Sequence, residues 1–118
     1  MKITIYHNPR CTKSRAALQL LEQHGIEPRI VEYLKDPPDK KTLRDILARL
    51  GMTPRQLMRT KEKVYRDLAL DRPGLSDEAL IDAMVKNPIL IERPIVLAGG
   101  KAVVGRPPER VLEITGGG

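Results

Sequence analysis

Residues 6–15 read Tyr6-His7-Asn8-Pro9-Arg10-Cys11-Thr12-Lys13-Ser14-Arg15, and this stretch joins a predicted strand to a predicted helix. Apolar and polar residues alternate over residues 2–6, which is typical of a strand. Asn8-Pro9 favours a turn, because the residue before a proline avoids the helical conformation. We expect Thr12 or Ser14 to cap the following helix, since hydroxyl side chains accept hydrogen bonds from the amides at a helix start.

The remaining sequence adds three strands and a last helix to this beginning. Gly25 is predicted to end the first helix, and residues 28–33 read as a second strand. Strand, helix and strand at this spacing predict a β-α-β unit with parallel strands. Residues 95–98 and 101–104 are predicted to pair as an antiparallel hairpin. A last helix is predicted to begin at Pro107-Pro108.

Residues 37–88 are predicted to form only helices, with Asp39 and Ser76 as caps and Gly51 as a terminator. The order of elements predicts an α/β fold: a mixed four-stranded sheet of type β-α-β … β-β-α. Residues 37–88 would be an all-helical insertion lying over that sheet, within a single domain of 1–118. We expect the glycine tail, 116–118, to be flexible.

Composition narrows the class of partner. The net charge is +6 with a pI near 9.7, which favours anionic ligands. Aromatic residues make up only 3% of the chain, so nucleic-acid binding is not expected, because it usually combines basic residues with stacking aromatics. No apolar run is long enough to cross a membrane. A single cysteine cannot form an internal disulfide, which favours a reducing, cytoplasmic location.

Cys11 is the candidate nucleophile. A lone cysteine is most often a small core residue, but this one lies at a helix start among cations, where a thiolate is favoured. The same amides and cations suit a tetrahedral oxyanion. His7, four residues earlier, is a candidate to lower the Cys11 pKa or to carry a proton.

Two arginines are candidates to lie close to Cys11 in the folded chain. Arg93 precedes Pro94 and a predicted strand, and Arg106 lies at a predicted strand-to-helix turn. Both would reach the Cys11 end of the sheet if the strands order as predicted. One cysteine and two distant histidines give no metal-ligand spacing. The glycine patterns of nucleotide-binding loops are missing from the sequence, so no tightly bound cofactor is expected.

The chain resembles the glutaredoxin-coupled arsenate reductases, the ArsC family, which have a thioredoxin-like fold. The resemblance runs from Ile3 to Ile114. Five motifs carry it in chain order: Tyr6-His7-Asn8-Pro9-Arg10-Cys11 with Ser14-Arg15, Leu57-Met58-Arg59, Asn87-Pro88-Ile89-Leu90, Glu92-Arg93-Pro94-Ile95-Val96 and Gly105-Arg106-Pro107.

The resemblance implies an activity. Cys11 would attack arsenate to form a cysteine–arsenate adduct, glutathione would add as co-substrate, and glutaredoxin would carry off the reducing equivalents, leaving arsenite. His7 matches the family histidine that lowers the cysteine pKa.

The resemblance also implies roles for further residues. The three oxyanion-binding arginines of the family are matched by Arg59, Arg93 and Arg106. The loop that cradles the thiolate and the anion is matched by Asn8, Ser14 and Arg15. Pro94 matches the proline that is cis in the thioredoxin fold, and a cis bond would place the adjoining backbone at the substrate edge.

The resistance enzymes commonly carry Gly-Thr-Ser-Arg after the cysteine, whereas this chain has Thr12-Lys13-Ser14-Arg15, with Lys13 as the main departure, and its tail is shorter. This form is common among chromosomal relatives. Two alternatives therefore stay open. One is an ArsC-like thiol oxidoreductase acting on another oxidised or glutathionylated substrate. The other is an Spx-like regulator that binds RNA polymerase, although such regulators use Cys-x-x-Cys where this chain has Ser14.

Overall fold

The computed structural model describes residues 2–115, so the predicted flexible tail at 116–118 lies outside the described residues. The elements follow in the order β1 (Ile3–His7), α1 (Thr12–Gln23), β2 (Arg29–Glu32), α2 (Lys40–Leu50), α3 (Pro54–Leu57), α4 (Lys63–Asp67), α5 (Asp77–Lys86), β3 (Ile95–Ala98), β4 (Lys101–Val104) and α6 (Leu112–Thr115). Single 3-10 turns span Pro88–Leu90 and Pro108–Val111. The chain divides into two compact units, one of residues up to Asp36 and from Arg93 onwards, the other Pro37–Glu92.

The first unit contains the predicted mixed sheet. Its strands lie in the order β2-β1-β3-β4, with β1 and β2 parallel and the other two pairs antiparallel. The α/β class and the four-stranded sheet predicted from the sequence are therefore confirmed. A cluster of aliphatic side chains from three strands, α1 and the last 3-10 turn forms the centre of its core: Ile5, Ala17, Leu21, Val96, Val103 and Val111. The Tyr33 side chain is buried in the same unit.

The second unit contains four helices whose ends follow local sequence rules. Asp39 Oδ1 accepts the Thr42 amide at 2.8 Å, and Ser76 Oγ accepts the Ala79 amide at 3.1 Å. Gly51 ends α2 in the left-handed region, with φ of 65°. The predicted caps and the predicted terminator are confirmed. The unit also contains an isolated antiparallel bridge between Met58 and Ile91. Ile91 lies beyond the stretch predicted to be helical, but Met58 lies inside it, so the all-helical prediction is wrong at Met58, which is extended after the short helix α3 ends.

The predicted cap of α1 is wrong. Neither Thr12 nor Ser14 caps the helix; both lie inside its first turn, and Cys11 occupies the N-cap position without a side-chain capping bond. The physical reason is competition for the Ser14 hydroxyl, which bonds to a histidine and to a backbone amide outside the helix. Gly25, with φ of 75°, follows the C-cap residue His24, close to the predicted helix end.

Candidate functional site

The candidate residues of the first unit gather at one edge of its sheet. β1 ends at His7, beside Glu32 at the end of β2. On the other side, Tyr6 pairs with Ile95 at the start of β3, which places Pro94 next along this edge. The carboxyl ends of parallel strands are where ligands usually bind in open α/β sheets. The register therefore brings together the Cys11 loop and the segment that precedes β3.

The Cys11 loop is a tight turn closed by backbone and side-chain hydrogen bonds. The Cys11 amide donates to the Asn8 carbonyl at 3.0 Å, and the Arg10 amide donates to Asn8 Oδ1 at 3.0 Å. The Arg15 amide donates to the Cys11 carbonyl at 3.0 Å, which starts α1. These bonds hold a partly exposed sulfur at the amino end of a 12-residue helix.

The environment of Cys11 favours its thiolate. Burial raises the pKa of the thiol, but other interactions lower it by more, so the pKa lies below the ordinary value. The largest lowering influence is the Ser14 amide, followed by a hydrogen bond and a charge from the Arg93 guanidinium. The Lys13 amide contributes less. Because a thiol accepts hydrogen bonds poorly, these amides act mainly on the thiolate, as the positive end of a helix does.

Ser14 forms a buried link between His7 and Asn8. Its side chain is fully buried, its Oγ lies 2.6 Å from His7 Nδ1, and it accepts the Asn8 amide at 3.0 Å. Burial lowers the pKa of His7, the Glu32 carboxylate opposes this, and Arg15 supports it. The imidazole is therefore neutral at neutral pH. Since Ser14 Oγ is enclosed and already bonded, this hydroxyl holds the loop rather than facing a solvent-borne anion.

Arg93 and Arg106 are neighbours at the same edge. Arg106 Nη1 donates to the Arg93 carbonyl at 3.4 Å, and the Arg93 guanidinium lies close enough to Cys11 to lower the pKa of its thiol. The Arg93–Pro94 and Arg106–Pro107 peptide bonds are both cis. Both residues are half-buried, with Arg93 Nε and Nη1 fully enclosed. The structure therefore places Arg93 beside the candidate nucleophile and Arg106 beside Arg93.

Gly105 fixes the packing between these two arginines. Its amide donates to the Pro94 carbonyl at 2.9 Å. A Cβ at this position would lie 2.9 Å from Pro94 Cγ, closer than real Cβ contacts, and 3.0 Å from Val111 Cγ1, which is tighter than most. Glycine is therefore required for this close approach.

The other predicted anion ligands have different surroundings. The Arg15 guanidinium is exposed and folds back onto the loop, donating to the Pro9 carbonyl at 3.0 Å and to Thr12 Oγ1 at 3.4 Å. Arg59 belongs to the second unit, where it forms ion pairs with Glu62 at 3.2 Å and Glu92 at 2.8 Å.

Several features of the site were not predicted from the sequence. Composition and spacing gave no signal for the Ser14 link, for the influence of Glu32 on His7 or for the cis bond at Pro107. The signal available for Ser14 was only its place in the first helical turn, which suggested a cap. Within residues 2–115, no group of His, Cys, Asp and Glu side chains could hold a metal ion. No described helix is long and apolar enough to span a bilayer.

Comparison with known proteins gives consistent results. The ArsC family model matches residues 6–114. The chain is 60% identical to the uncharacterised protein YfgD of Escherichia coli strain K12, over 98% of both chains. It is 53% identical to the arsenate reductase of Neisseria meningitidis serogroup A, over 93% of this chain and 95% of that one. The solved arsenate reductase of Vibrio cholerae superposes with a TM-score of 0.94 at 50% identity, covering 97% of this chain and 98% of that one.

Proposed function

This chain belongs to the ArsC family and has its thioredoxin-like fold, and on that premise we propose that it reduces arsenate to arsenite with glutathione and glutaredoxin as reductants. The observation that carries the proposal is the Cys11 sulfur, held at the start of α1 with its pKa lowered by amides and by Arg93. A thiolate is the reactive form of cysteine. The family relatives named arsenate reductase supply the substrate.

The first step is attack by the Cys11 thiolate on arsenic. A sulfur–arsenic bond forms, and one arsenate oxygen leaves as water after protonation. Charge develops on the remaining oxygens, and preorganised donors stabilise such charge. Arg93 and Arg106 are the proposed donors, because both lie at the Cys11 edge of the sheet. Arg15 adds positive charge at the loop, and Arg59 is proposed as a third anion ligand on the family resemblance alone.

His7, Asn8 and Ser14 have supporting roles in this proposal. Ser14 ties the two residues together, and its amide acts on the sulfur. The neutral His7 can accept a proton as thiols and water exchange at the site. Asn8 closes the turn with its carbonyl and its side-chain oxygen. These residues hold the Cys11 sulfur at a fixed position relative to the first backbone amides of α1.

The reductant must come from outside the chain. Reduction of arsenate to arsenite takes two electrons, which two thiols supply as they form one disulfide and release one water. Cys11 is the only cysteine in the sequence, so the second thiol does not come from the same chain segment and is proposed to come from another molecule. A small thiol such as glutathione meets that need, and glutaredoxin then reduces the mixed disulfide. A compartment rich in reduced glutathione, the cytoplasm, is the proposed location.

The test is an arsenite-formation assay with purified protein, arsenate, glutathione and glutaredoxin. We expect turnover by the intact protein and none by the Cys11→Ser variant, because an alcohol is a poor nucleophile at neutral pH. The variant should unfold at the same urea concentration as the intact protein. If the intact protein gives no arsenite while a known arsenate reductase is active alongside, the proposal fails. Release of glutathione from a glutathionylated peptide under those conditions would favour the alternative thiol oxidoreductase.

A further inference from the structure

A groove lies beside the Cys11 loop, on the side of β1 that faces β2. It has a volume of about 230 Å³ and is lined by loop residues 7–10 and by three residues at and beyond the end of β2, Glu32, Leu34 and Lys35. In the sheet, β1 lies between β2 and β3. The groove and the two anion-binding arginines therefore approach the Cys11 loop from opposite sides. This arrangement leaves the groove accessible while an oxyanion occupies the arginine side.

The lining of the groove has a definite charge pattern. Arg10 and Lys35 are exposed cations, and Glu32 is a half-buried carboxylate whose Oε1 lies 3.8 Å from Lys35 Nζ. Leu34 contributes an apolar surface with 41% of its area exposed. Two cations, one anion and one aliphatic side chain surround a volume that suits a small molecule of a few residues.

We propose that this groove binds the thiol co-substrate, a short peptide that carries two carboxylates and one ammonium group, as glutathione does. The inference rests on the proposed function, because it locates the binding site of the second thiol that the reaction requires. The ligand matches the lining in charge: its carboxylates pair with Arg10 and Lys35, and its ammonium group pairs with Glu32. Its methylene groups lie against Leu34.

Position explains why the thiol would bind here. The sulfur of the ligand must reach the adduct on Cys11 without displacing the anion from Arg93 and Arg106. The groove shares residues 8–10 with the turn that holds Cys11, and the Cys11 amide bonds to Asn8 in that turn. The groove is lined up to Arg10, the residue before Cys11, so in this proposal a peptide anchored between Arg10 and Lys35 extends its thiol from the groove toward the nucleophile. Proximity of this kind replaces a bimolecular encounter by an oriented one.

The kinetic test reverses one charge in the groove. Lys35→Glu should raise the KM for glutathione about three- to tenfold, because a carboxylate of the ligand then meets a like charge. The KM for arsenate should stay the same. The matched control is Lys101→Glu, an exposed lysine at the start of β4, which should leave both constants unchanged. With 2-mercaptoethanol, an uncharged thiol, as the reductant, Lys35→Glu and the intact protein should have equal rates.

The outcomes separate this inference from the proposed function. An equal effect of Lys35→Glu on both reductants, or none on either, would overturn the groove assignment. Binding is also measured without turnover, by titrating the intact protein with the unreactive analogue S-methylglutathione and following backbone amide shifts. Shifts confined to the amides of Asn8, Arg10 and residues 32–35 support the groove even if no arsenate is reduced. Shifts centred on the amides of Gly105 and Arg106 would place the thiol elsewhere.

Discussion

The two units of the molecule use their polar residues in opposite ways. In the unit of residues 37–92, Asp39 and Ser76 cap α2 and α5, and ion pairs on exposed side chains join the same two helices. In the sheet-containing unit, the polar residues buried among the described part of the chain are His7, Asn8 and Ser14, all within eight residues of sequence. A buried polar group lowers stability unless its hydrogen bonds are complete, and here they connect to the turn that holds Cys11.

This difference indicates where substitutions should matter. In the helical unit, the caps at Asp39 and Ser76 act within one helical turn, and the ion pairs between α2 and α5 lie on exposed side chains where water can replace them. In the sheet unit, the contacts of residues 7–14 depend on one another and on Arg93, which arrives from far along the chain. Matched substitutions, one in each unit, therefore measure how much of the polar chemistry is structural and how much belongs to the site.

The largest difference is expected between two arginines. Arg93→Ala should lower kcat/KM for arsenate about 10- to 100-fold, because it removes a charge-assisted hydrogen bond from a half-buried site. Arg44→Ala, which removes an exposed ion pair with Glu78 in the helical unit, should change kcat/KM less than about twofold. Steady-state assays of both variants check this. Equal decreases in kcat/KM in the two variants would contradict the claim that the functional arginine lies in the sheet-containing unit.

Two serines provide the next comparison. Ser14→Ala removes a hydroxyl that bonds to His7 and Asn8 in the interior, and should lower the free energy of unfolding by about 1–3 kcal/mol. Ser76→Ala removes a helix cap and should lower it by about 1 kcal/mol. Urea titrations give both values. The rate of Cys11 alkylation should fall in the Ser14 variant alone, and an equal fall in the Ser76 variant would count against a special role for the buried link.

The smallest effect is expected at the ion pairs between α2 and α5. Lys40 Nζ lies 2.7 Å from Glu78 Oε2 and 3.1 Å from Asp82 Oδ1, all on exposed side chains. Glu78→Gln should lower the Tm slightly, less than Ser76→Ala does, and the difference should disappear at high salt. Cys11 alkylation should not change. A decrease in Tm larger than that of Ser76→Ala, or one that does not change with salt, would contradict the assignment of Glu78 to solvent-screened ion pairs.

The same ion pairs predict a pH dependence. Arg44 and then Lys40 lower the pKa of Glu78 in the folded state. A carboxyl whose folded pKa is depressed stabilises the protein above its unfolded pKa and loses that contribution as the pH falls through the folded pKa. The Tm difference between the intact protein and Glu78→Gln should therefore be full at neutral pH and vanish in acid. A difference that persists in acid would contradict the ion-pair origin.

The comparison also shows what the sequence could predict. Asp39, Gly51 and Ser76 act on residues within one helical turn, so local rules identified them. The parallel β-α-β pairing and the antiparallel hairpin followed from patterning and from the hairpin glycines. The order in which these two pairs join comes from the structure, and the approach of Arg93 and Arg106 to the Cys11 edge depends on it. The Ser14 link could not be predicted, because it depends on how a strand end, a turn and a helix meet in space. The contact between Arg93 and Cys11 joins residues 82 positions apart and needs the sheet register.

The central claim is that the fold stabilises the Cys11 thiolate, and the rate of alkylation by iodoacetamide as a function of pH tests it most directly. Because Cys11 is the only cysteine, the modified mass of the intact protein reports this residue alone. The account predicts a half-maximal rate at a pH below about 8.5, the ordinary value for a free cysteine, and a shift of the midpoint to higher pH in Arg93→Ala. A midpoint at or above about 8.5 in the folded intact protein would contradict the account.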